Sequence, residues 1–137
     1  MTFLATGGWP VVLIIHQRLG IAVIGIYLIC SLWGIWRLIR GQSPSGGLLA
    51  TFILGGGLLG LQTISGWLLL AAGCRPGEFL HYVYGAVAIV AFLAGFTYVG
   101  RFSAGRGQSG LLTVCCLLLV GVGVRAFMTG PHACAAI

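Results

Sequence analysis

Acidic residues are almost missing from this sequence. Glu78 is the only one, and there is no lysine. Charged residues fill 6% of the 137 positions, against about 25% in an ordinary soluble domain. That excludes a water-soluble fold. No acidic residue lies mid-membrane, which argues against a four-helix transporter. No two cysteines are spaced Cys-x-x-Cys, so neither a zinc site nor a thioredoxin-like redox pair is supported. The seven cations are arginines scattered along the chain, without the basic stripe that nucleic acid requires. The first ten residues hold no basic cluster, and no removable signal peptide is expected.

Apolar residues are abundant. Hydrophobic residues make up 59% of the chain and its mean hydropathy is +1.11. A bilayer crossing takes about 20 apolar residues, so about four helices use nearly all of the sequence. The expected fold is an all-α integral membrane four-helix bundle in the cell membrane, with helices at about 10–39, 48–72, 78–99 and 111–128. Pro10 suits a first helical position. Trp9, Trp33 and Trp36 read as interface anchors, and Arg37 and Arg40 close the first helix. Gly41–Gly47 and Arg101–Gly110 read as short polar loops. Gly55, Gly56 and Gly57 read as helix-packing positions.

The loops after the first and third helices carry Arg37, Arg40, Arg101 and Arg106. The positive-inside rule then places both termini on the outer side. His16, His81 and His132 fall toward that outer face, with Arg18, Arg75, Arg125, Cys74 and Cys134. Cys74 and Cys134 are candidates for a disulfide on the oxidising side, or for two thiols. Cys30, Cys115 and Cys116 read as small apolar residues. The two helical pairs also form a loose repeat, each opening on a His-x-x-x-Gly helix.

An imidazole in hydrocarbon must be paired or bound, so intramembrane histidines are functional candidates. His16 and His81 share the pattern His-x-x-x-Gly, ending at Gly20 and Gly85. On the first and third helices they can meet across a bundle, which is how bundles build cofactor sites. Two histidines saturate the axial positions of a haem iron. A glycine one turn after each histidine leaves room for a flat macrocycle on the same helical face. Haem carboxylates would seek Arg18, Arg75 and Arg125, since arginine pairs bidentately with carboxylate. The competing reading has each histidine hydrogen-bonding a neighbouring helix. For His132, after Pro131, a surface role is expected.

These residues resemble the haem A synthase family, whose members usually have eight helices in two similar four-helix halves with haem held between histidines. Ile15-His16-Gln-Arg-Leu-Gly20 is similar to its His-Arg-x-x-Gly helix start, and Leu80-His81-Tyr-Val-Tyr-Gly85 to its second ligand helix. Leu61-Gln62-Thr-Ile-Ser-Gly66 resembles its Gln-x-x-x-Gly helix, which adds Gln62 to the cofactor-binding candidates. Gly121-Val-Gly-Val-Arg125 through Gly130 resembles a helix end of the family. The resemblance implies His16 and His81 as the axial pair. The active half of the family carries a glutamate three residues before its first histidine, and Leu13 stands there in this chain. The likeness is therefore closer to the cofactor-binding half.

The expectation is a subunit binding one haem b per chain and carrying electrons within a larger respiratory or photosynthetic complex. Its partners would be other membrane subunits or a second copy. One alternative is a half-size haem A synthase acting as a homodimer, with Glu78 as its catalytic candidate. Another is a cofactor-free structural or assembly subunit.

Overall fold

A computed structural model describes residues 8–99, 101, 105–130 and 133–134. The helices are α1 (Trp9–Ile39), α2 (Gly46–Ala71), α3 (Leu80–Val99) and α4 (Arg106–Met128). All four are long and apolar enough to cross a membrane. A two-residue antiparallel ladder joins β1 (Cys74–Arg75) to β2 (Ala133–Cys134). The side chain of Trp9 and all of His132 lie outside the described residues.

Local chemistry explains where the helices begin and end. Pro10 sits in the first turn of α1, where a missing N–H costs nothing. Arg37 ends that helix by donating from Nε and Nη2 to the Ser43 carbonyl, at 2.9 and 2.6 Å. The Ser45 hydroxyl caps α2 by accepting from the Leu48 amide at 3.2 Å. That cap starts the helix at Gly46 rather than at Leu48. The first residues expected in α3 form a turn instead. The His81 amide donates to the Glu78 carbonyl at 3.1 Å, and regular helix begins at Leu80. His81 is thus the second residue of α3 and not a full turn inside it.

The largest boundary difference is in α4, which starts at Arg106 and absorbs half of the expected loop. Polar side chains make this extra turn affordable. Gln108 donates to the Val99 carbonyl at 2.9 Å and Ser109 donates to the Gln42 carbonyl, tying the end of α3 and the α1–α2 loop to the helix start.

Around the bundle the order is α2, α1, α4, α3. Helix α1 packs closely on α2 and α4, and α3 packs on α4, whereas α2 and α3 hardly meet. The bundle is therefore closed on three sides and open on the fourth. Many large apolar side chains face outward, among them Trp67 and Phe79. This is the expected surface for a chain solvated by lipid.

One aromatic chain crosses the interior. Tyr27, Phe52 and Phe92 stand with successive ring centres 5.8 and 5.2 Å apart. Phe92 reaches from α3 to lie against Gly56 of α2, and Tyr27 lies against Gly55. Both glycines are packing positions, as expected, but a side chain at Gly57 would meet nothing. Gly56→Leu would force Phe92 out of the one aromatic contact between α2 and α3. Overpacking of this kind costs about 1–3 kcal/mol. The expected result is a clearly lower thermal midpoint in detergent, with Gly57→Leu unchanged as the control.

Toward the other end, Cys74 is buried and disulfide-bonded. It faces Cys134 across the two-strand ladder. The Glu78 amide also donates to the Thr129 carbonyl at 3.3 Å. These contacts fasten the α2–α3 connection to the chain beyond α4. Cys30, Cys115 and Cys116 are free thiols within the helices.

Candidate functional site

The open side of the bundle leads into a cavity of about 800 Å³, within the range of small-molecule and cofactor sites. All four helices line it, and both His16 and His81 are in its wall. The two imidazoles have ring centres 6.1 Å apart, with planes inclined at 58°.

Each imidazole is oriented by the helix that follows its own. His16 is buried, 5% exposed. Its Nδ1 lies 2.9 Å from the Ser65 hydroxyl and 3.1 Å from the Gln62 carbonyl. Ser65 donates its own proton to that same carbonyl, at 2.8 Å. Its oxygen is thus an acceptor toward the histidine, and Nδ1 carries the ring proton. His81 donates from Nδ1 to the Ala126 carbonyl at 2.8 Å. In the neutral rings both Nε2 atoms are therefore the basic ones. A backbone carbonyl on Nδ1 is the usual way to present Nε2 to a metal.

The halves of the site repeat one another closely. His16 and His81 are 65 positions apart, as are Gly20 and Gly85, and Val23 and Ala88. On the second helix of each pair the offset is 64. Gln62 matches Ala126, Ser65 matches Thr129, and Gly66 matches Gly130. The contacts repeat in part: Ser65 donates to the Gln62 carbonyl at 2.8 Å, whereas the Thr129 hydroxyl lies 3.2 Å from the Ala126 carbonyl and closer, at 3.0 Å, to that of Arg125. Gly66 lies beneath the Cε1 edge of His16, and Gly130 beneath the same edge of His81. A weak sequence repeat has become a two-fold arrangement of two imidazoles and two carbonyls, with a hydroxyl added on Nδ1 of His16.

The glycines under the rings differ in tolerance. A methyl group at Gly66 would come within 3.1 Å of His16, against 2.9 Å from two His81 atoms and 3.1 Å from the Ala126 carbonyl at Gly130. Gly130→Ala is therefore expected to push His81 off its carbonyl. Its ring-nitrogen NMR signals should shift well beyond the change that Gly66→Ala causes at His16.

The other predicted residues divide. Gly20, Gln62 and Gly85 line the cavity with the histidines. Gly20 gives room to the Gln62 amide, whose nitrogen would be 3.2 Å from a Cβ there. A Cβ at Gly85 meets nothing within 4 Å. Arg18, Arg75 and Arg125 are exposed and outside the cavity wall. Arg125 instead lies over the Tyr84 ring, 5.9 Å from its centre. Glu78 is exposed and also outside the wall.

Sequence reasoning missed Ser65, Thr129 and the two carbonyls. The matched spacing of Ser65-Gly66 and Thr129-Gly130 was the available signal. Among the described residues, no group of three or more His, Cys, Asp or Glu is placed to hold a metal ion. A metal held by the two imidazoles would have to arrive with further donors of its own, as it does inside a porphyrin.

No family model, curated protein or solved structure matches this chain. Functional assignment therefore rests on the cavity and its two imidazoles.

Proposed function

We propose that the protein is a membrane subunit that binds one b-type haem between His16 and His81 and carries electrons within a larger respiratory or photosynthetic complex. The spacing of the imidazoles carries this reading. A metal–imidazole bond is about 2 Å and the bonded nitrogen stands about 1 Å from its ring centre, so two rings on opposite sides of one metal have centres about 6 Å apart. The separation here is 6.1 Å. The Nδ1 protons are committed to oxygen acceptors on both rings, which leaves Nε2 as the donor atom. Gly85 leaves open space in the wall for a flat plate.

A bound haem would supply one-electron iron chemistry. The protein's part is to hold both rings in one tautomer, to occupy both axial positions and to surround the site with apolar side chains. His16 and His81 would hold the haem, and the chemistry it would supply there is electron exchange rather than oxygen binding. Arg18, Arg75 and Arg125 are outside the wall but exposed, and long side chains of this kind can reach the propionates at a cavity mouth.

The orientation with both termini outside follows from the same reading. The disulfide-bonded Cys74 belongs on an oxidising side, and four of the seven arginines belong to the opposite loops.

A cofactor-free structural role is favoured by one observation. The Gln62 amide nitrogen stands 3.2 Å from Nε2 of His16 and donates to it, so that ring is already a clasp between α1 and α2. One experiment separates the two readings. The protein, purified from cells making haem, is examined by absorption and by a pyridine haemochrome assay. The expected result is a reduced-minus-oxidised b-type spectrum at one haem per chain. Colourless protein, still colourless after haemin is added, would leave the structural role standing.

A further inference from the structure

One difference between the two halves of the site is chemical, where Gln62 stands opposite Ala126. On the His16 side an amide occupies the space beside Nε2, while the matching residue on the His81 side has only a methyl group. We propose that Gln62 is a displaceable cap on His16, so that the turning of one amide controls whether the site can be filled. The proposal deepens the haem-binding reading and rests on it for the identity of the ligand.

The amide is held on one side only. Its nitrogen donates to Nε2 of His16 at 3.2 Å, a long bond. Its oxygen, Oε1, is buried with no hydrogen-bond partner among the described residues, an unfavourable state for a carbonyl group. The cap thus satisfies the imidazole poorly from the amide's own standpoint. Turning outward breaks one weak bond and takes Oε1 out of a place that offers it no partner among the described residues. Gly20 provides the space in which the amide sits, since any side chain there would crowd it. Nδ1 of His16 is unaffected by the movement, because it is held by the backbone carbonyl of Gln62 and by Ser65. With the amide turned away, the first half presents His16 and Gly20 as the second presents His81 and Gly85. The ring keeps its tautomer and exchanges a proton donor at Nε2 for a metal.

The test compares wild-type protein with Gln62→Ala and Gln62→Leu, all reconstituted without haem in lipid nanodiscs. Leu keeps most of the side-chain volume with neither a hydrogen-bond donor nor a metal-binding atom, so agreement between the two variants excludes a cavity effect. Two readouts are taken. In unloaded protein, the nitrogen NMR signal of His16 Nε2 should move in both variants, while His81 stays in place. On titration with haemin, both variants should bind about three- to tenfold tighter, the factor that loss of one competing hydrogen bond implies. Unchanged or weaker binding in both variants overturns the cap, and so does an unmoved His16 signal. If no form binds haemin, the haem reading falls, and the cap is then judged on the nitrogen signal alone.

Discussion

His16→Ala and His81→Ala are each expected to abolish the b-type haem spectrum, with helix content by circular dichroism unchanged. The reason lies in how few groups could hold a haem iron. Among the described residues, no group of three or more His, Cys, Asp or Glu is placed to hold a metal ion. A single remaining histidine would fill one axial position; of the sulfur atoms in the cavity wall, that of Cys74 is in a disulfide, and the Met128 thioether is a weaker substitute than an imidazole. Loss in retained haem should be at least 100-fold in each variant, above the 10- to 100-fold that removal of a mere orienting partner costs. His16→Ala also uncovers Ser65 and the Gln62 amide inside the protein, so its thermal midpoint should fall. His81→Ala removes a partly buried ring that donates to the Ala126 carbonyl, and its midpoint should fall less. Retention of the spectrum in both variants would remove the axial assignment.

Gly85→Leu should produce the opposite combination, a protein that loses haem and gains stability. The position lines the cavity and a Cβ there touches nothing within 4 Å. A leucine therefore enters space that the protein itself does not fill. Leucine also replaces the poorest ordinary helix former inside α3, a gain of up to about 1 kcal/mol. If a macrocycle uses that space, haem retention disappears while the thermal midpoint of the unloaded protein rises. If the histidines are only clasps, Gly85→Leu is simply stabilising and nothing else changes. Haem retention and melting, measured on the same preparation, decide between these outcomes.

The two variants fail in different ways, and this separates ligation from space. Loss of spectrum at the histidines with full retention in Gly85→Leu would mean that the ligand lies elsewhere along the rings. Loss at Gly85 with retention at the histidines would mean a cavity ligand that the imidazoles do not coordinate.

Much of this architecture is legible in the sequence. Apolar length is a local property, so four crossings could be counted directly, and Ile39, Val99 and Met128 end their helices as expected. The His-x-x-x-Gly pattern marked both imidazoles and both glycines for the same reason, since residues four apart share a helical face. The start of α4 was not legible, because a Gly/Ser-rich stretch reads as loop until Gln108 and Ser109 find carbonyls on other segments. The three arginines were assigned by charge alone. Charge does not reveal that Arg125 would lie over Tyr84.

By itself the sequence determined the membrane class, the number of helices and the two histidines that share the cavity, because composition and helical period act over a few turns. Tertiary structure alone decided the rest. It left α2 and α3 apart so that a cavity opens between them, set the rings 6.1 Å from one another and chose the carbonyls that fix their tautomers. Those features depend on which helices pack against which, and residues 46 or 45 positions apart in the chain are brought together only by that packing.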